Sequence, residues 1–60
     1  MTEDKKNEID TLIDNMISSG DDLVKNLQGV LPKQLSESIT MFHESNVMNL
    51  KKIKKILNKP

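Results

Sequence analysis

The sequence predicts an all-α domain of three helices, at about residues 3–19, 22–30 and 33–58, with the two shorter ones packed on a long C-terminal one that self-associates. Three observations predict it. Leu35, Ile39, Phe42, Asn46, Leu50, Ile53 and Leu57 recur at steps of three and four, so at about 100° per residue they share one narrow sector of a single helix. Ile9, Leu12, Ile13, Met16 and Ile17 make a second such stripe near the start. Between the two stripes the chain is punctuated twice, by Ser18-Ser19-Gly20 and by Gly29 and Pro32.

The first helix opens at Thr2, a good N-cap, with Glu3 and Asp4 suited to the positive end of a helix dipole. Lys6, Asp10 and Asp14 are expected to point outward. Gly20 is expected to end this helix in the left-handed C′ conformation. Asp21 or Asp22 then caps a short second helix whose apolar face is Leu23, Val24, Leu27, Val30 and Leu31. Gly29 weakens its end, and Pro32 stops it because the residue before proline is pushed out of helical space. Pro32 also suits the first turn of the next helix, where its missing N–H does no harm.

The third helix is predicted to run unbroken through Ser45 and Asn46, since the stripe keeps its phase there; the competing reading breaks it at that point, with Ser45 capping a separate basic helix. At 1.5 Å per residue it would be ~38 Å long against ~26 Å for the first, and would overhang it. In heptad terms Ile39, Asn46 and Ile53 occupy a positions, and Leu35, Phe42, Asn49 and Ile56 d positions. A polar a residue such as Asn46 fixes register in paired helices at a cost in stability; at the rim of a monomeric core it would instead meet water.

Sixty residues make a single domain, residues 1–60, and a chain this short buries only ~60% of its unfolded surface. With no cysteine and one histidine, disulfides and the usual zinc sites are excluded, which leaves regular helix packing or association with another subunit. No apolar run approaches the ~20 residues that span a bilayer. The start, Met1-Thr2-Glu3-Asp4, is acidic where a secretory signal would be basic and then apolar, so the expected compartment is the cytoplasm.

The net charge is zero, but residues 1–22 carry seven acids against two lysines while 47–60 carry five lysines and no acid. In an up–down–up bundle the first and third helices run parallel, so these blocks would meet only across an antiparallel partner chain, which favours a two-fold homodimer.

Catalysis is not expected. His43-Glu44 lacks the second histidine of a zinc-protease helix, the serines have no base positioned near them in sequence, and no glycine-rich phosphate loop is present. No catalytic residue, metal ligand or cofactor site is assigned. Two features remain. Met41 and Met48 lie one heptad apart and off the main stripe, as adaptable contacts for an irregular partner. Lys51, Lys52, Lys54 and Lys55 surround Ile53 and make a basic amphipathic end. These six residues are the expected partner-binding set, and the Leu35–Leu57 stripe is the expected self-association seam. The chain reads as a small interaction protein, a regulator, inhibitor or assembly factor that occupies a surface on a larger protein. A nucleic-acid-associated dimer using the lysine cluster is the weaker alternative, since arginine and tyrosine are absent; a structural bundle subunit is the other.

Overall fold

The computed structural model describes residues 1–59. Among them the chain forms two α-helices and no strand: α1, Glu3–Leu27, and α2, Lys33–Leu57, packed side by side as an antiparallel hairpin. The Cα envelope measures 45 × 15 × 9 Å, a flat rod one helix thick and two helices wide.

The helix count corrects the three-helix expectation. Gly20 does not end α1, neither Asp21 nor Asp22 is a cap, and residues 22–30 do not form a helix of their own. The sequence offered two places to stop, and the second one is used. Gly29 alone among the glycines has a left-handed backbone, with φ 81°. Around it Gln28 N–H donates to Val24 O and Leu31 N–H to Leu27 O, each at 3.2 Å, before Pro32 caps α2. A glycine inside a helix costs only ~1 kcal/mol. Gly20 faces His43 of α2, and a Cβ built on it would fall inside the imidazole. Its lack of a side chain serves helix packing here rather than helix termination.

The bounds of α2 agree with expectation, and the helix is continuous through Ser45 and Asn46. Thr2 is the N-cap of α1, its hydroxyl oxygen accepting from Lys5 N–H at 3.3 Å. The predicted overhang is absent, because both helices have 25 residues and span ~38 Å.

The residues that the hairpin covers recur at alternating steps of four and three, the pattern of a two-helix seam. On α1 they include Asp10, Ile13, Ile17, Gly20, Val24 and Leu27; on α2, Ser36, Thr40, His43, Val47, Leu50 and Lys54. Lys6 and Asp10, expected to face outward, are half-covered. So many polar members make a thin core. Ile13, 4% exposed, is the one fully buried apolar side chain among the described residues. Ser36 Oγ is buried without a hydrogen-bond partner, while Thr40 Oγ1 donates back to Ser36 O at 2.8 Å.

Candidate interaction face

The apolar stripe of α2 does not point at α1. At 100° per residue, Leu35, Ile39, Phe42, Asn46, Leu50, Ile53 and Leu57 are centred about 80° to one side of the seam. Ile39, Leu50 and Leu57 are half-covered by α1, whereas Leu35, Phe42, Asn46 and Ile53 are exposed. Leu12, Met16 and Leu23 of α1 are rotated to the same side. In an antiparallel pair the two flanks come together as one broad face. An open groove of about 370 Å³ runs along it, lined by Met16, Gly20, Leu23, Phe42, Asn46 and Leu50 among others. Gly20 and His43 both line it, the imidazole filling the space that a side chain at Gly20 would take.

Exposure on this face is high: Leu12 56%, Met16 58%, Leu23 55% and Phe42 70%. With Leu35 and Ile53, and at about 200 Å² per large apolar residue, these side chains leave roughly 600–700 Å² uncovered. The largest apolar patch on an ordinary monomer is about 300–600 Å². Total surface points the same way. The chain exposes 4933 Å², where a compact monomer of 6.8 kDa would expose about 4,000 Å².

Polar pairs join the helices along the seam and on the other flank of α1, and His43 of the seam also lines the groove. Lys54 Nζ donates to Asp14 Oδ1 at 2.8 Å, Asn58 Nδ2 to Asp10 Oδ1 at 3.2 Å, and His43 Nε2 lies 2.6 Å from Asp21 Oδ1. The bond from Asp14 holds the Lys54 ammonium above its ordinary pKa, against an opposing effect of desolvation, with the charges of Asp14 and Asp10 adding to the rise. These bonds overturn the expectation that acidic and basic blocks meet only across a partner chain. The helices they belong to are antiparallel neighbours, so the acidic start and basic end meet within one molecule. They also give Asp10 and Asp14 partners, where solvent exposure alone had been expected.

The six residues predicted to bind a partner are not brought together as one site. Met41 and Met48, 69% and 61% exposed, lie on the side of α2 turned away from α1. Lys51, Lys52 and Lys55 are exposed near them, but Lys54 faces the seam and is held by Asp14. Sequence reasoning missed the contribution of Leu12, Met16 and Leu23 to the open face. The signal was there, since these three side chains are spaced four and seven residues apart, but it only becomes visible once α1 is continuous through Gly20.

No helix among the described residues is long and apolar enough to cross a membrane. No protein-family model matches this chain, and neither does any curated protein or solved structure.

Proposed function

We propose that this chain is a protein–protein interaction module of the cytoplasm, whose work is binding and not catalysis, and that its open apolar face is an association surface. The observation that supports this most is one-sidedness. From Leu12 to Asn26 on α1 and from Leu35 to Ile53 on α2, the positions turned to the open face hold apolar or small uncharged residues, with His43 at its inner edge, while Asp14 and Asp21, the acidic members of the cross-helix pairs, lie on the other flank of α1. Loss of charge with retention of exposed large apolar residues is the composition of an interface centre, not of a solvated helix face.

With that face covered, the module presents the outer side of α2 to a larger protein, through Met41, Met48, Lys51, Lys52 and Lys55. A regulator, inhibitor or assembly factor needs no more than this. The nucleic-acid reading is weaker, because one of its four clustered lysines is held by Asp14 and the chain has no arginine or tyrosine.

The test is affinity capture with the intact chain and two variants. Phe42→Asp should abolish association through the open face with helix content unchanged, and the pair Met41→Asp, Met48→Asp should abolish capture of the larger protein alone. Capture unaffected by either change refutes the reading. Retention of a DNA or RNA probe, falling steeply with salt, would replace it with the nucleic-acid alternative.

A further inference from the structure

The open face is wide enough to need a partner, and the hairpin itself carries the features of that partner. We infer that the occupant is a second copy of this chain, packed face to face about a two-fold axis parallel to the helices, so that both turns lie at one end and α1 of each protomer covers α2 of the other. This rests on the reading that the open face is an association surface, and adds which surface covers it and in which direction.

Three observations support a second copy in this arrangement. The first is charge. The helix α1 carries seven acids against three lysines and α2 five lysines against two glutamates, so the two are of opposite sign, about −4 and +3. Two hairpins can close face to face in two ways. One puts α1 on α2 of the partner, opposite against opposite. The other reverses the partner end for end and puts α1 on α1 and α2 on α2, like against like. The charges lie mostly away from the open face and are screened over about 10 Å, so they select between arrangements more than they supply affinity.

The second observation is register. Asp14 bonds Lys54 and Asp21 bonds His43, which sets which residues of the two helices stand at one level. A two-fold axis along the helices preserves level between protomers. Leu12 then meets the level of Ile53 of the other copy, and Leu23 that of Phe42. Between these apolar layers, Ser19 falls level with Asn46, and Met16 with Asn49. The polar residues of the α2 stripe thus lie near a hydroxyl in the middle of the bundle, where a buried amide has donors and acceptors to meet.

The third is area. The roughly 600–700 Å² of apolar side chain on the face approaches the ~800 Å² that each partner contributes to a standard stable interface. Self-pairing covers it with an identical surface and leaves Met41, Met48 and the exposed lysines outward on both sides.

The chain has no cysteine, so the arrangement can be read by disulfide trapping of the full chain. Sedimentation equilibrium of the unchanged protein should give twice 6.8 kDa. Leu23→Cys and Phe42→Cys, prepared separately and mixed under mild oxidation, should form a mixed disulfide, while neither variant alone should cross-link. In the proposed bundle two copies of the same position lie diagonally across it, beyond the ~7 Å Cα separation a disulfide tolerates. Circular dichroism of each variant checks that the helices persist. As a second measurement on the unchanged chain, raising chloride salt from about 0.05 M to about 0.5 M should weaken the dimer severalfold, because attraction between oppositely charged helices is screened.

Homodisulfides from either variant alone, in yield matching the mixture, overturn the arrangement, as does a dimer strengthened by salt. A mass of 6.8 kDa at every concentration up to about millimolar overturns the second copy, at affinities weaker than about −4 kcal/mol. In that last case the interaction reading stands or falls separately, on whether Phe42→Asp or the pair Met41→Asp, Met48→Asp removes capture of another protein.

Discussion

A methyl group added at Gly20 tests the central claim about why α1 does not stop there. Alanine in place of glycine inside a helix ordinarily stabilises by about 0.5–1 kcal/mol, since the unfolded chain loses freedom and the helix gains a better former. Here the new Cβ would overlap the His43 imidazole, whose side chain is 13% exposed and bonded to Asp21. To make room, the ring must leave the seam or the helices must separate. Either loses the bond to Asp21 and part of the contact around the groove. Overpacking of this kind costs about 1–3 kcal/mol. The net expectation for Gly20→Ala is therefore a loss of about 1–2 kcal/mol. His43→Ala removes the obstacle, and in that background Gly20→Ala should stabilise by about 0.5–1 kcal/mol, as in an open helix. The coupling between the two positions should come to about 2 kcal/mol. Urea denaturation followed by circular dichroism measures it, with all four proteins at one protomer concentration so that association does not enter the comparison. If Gly20→Ala stabilises equally in both backgrounds, the close approach at Gly20 is not what the glycine is for. The account of helix packing at Gly20 would then be wrong, while the helical conformation of Gly20 would stand.

Ser36→Ala removes a buried hydroxyl that has no partner and installs a better helix former, so the midpoint of unfolding should rise by an amount equivalent to about 0.5–1 kcal/mol; a loss would show that the hydroxyl is bonded in solution. Asn46→Leu should raise the melting temperature and change the size of the assembly seen by light scattering, since the stripe would then lack its polar break; a fall in stability would show that the amide makes hydrogen bonds worth more than the burial gained. Lys54 has its pKa raised on folding, so its contribution to stability is complete below the ordinary lysine value of 10.5 and is lost as pH rises through the higher folded value. Melting curves of the unchanged chain and Lys54→Met should accordingly converge above pH 10.5, and a gap that widens there would refute the pairing with Asp14.

How much of this was legible beforehand differs by element. The C-terminal helix was, down to its bounds and its continuity through Ser45 and Asn46, because an uninterrupted apolar period is a long-range signal that no single residue can erase. The Thr2 cap was legible because capping involves only four consecutive residues. Gly20 was misread, since Ser-Ser-Gly followed by Asp-Asp satisfies every local rule for a stop and a fresh cap. The second, truer stop at Gly29 and Pro32 was visible but was assigned to a helix that does not exist. From that one misreading came the wrong direction of packing and the expectation that acid and base would meet only between chains.

Composition and periodicity alone establish that this chain is helical, that each long segment has one apolar flank, and that opposite charge gathers at its two ends. These are properties of residue type and spacing, and they hold whatever the helices pack against. Helix packing is what places Gly20 inside a helix, makes the two ends of the chain neighbours, and turns the apolar flanks away from the seam to share one open side. The reason is one of magnitude. A local preference to stop at a glycine is worth about 1 kcal/mol, and closing a second long helix against the first is worth more than that.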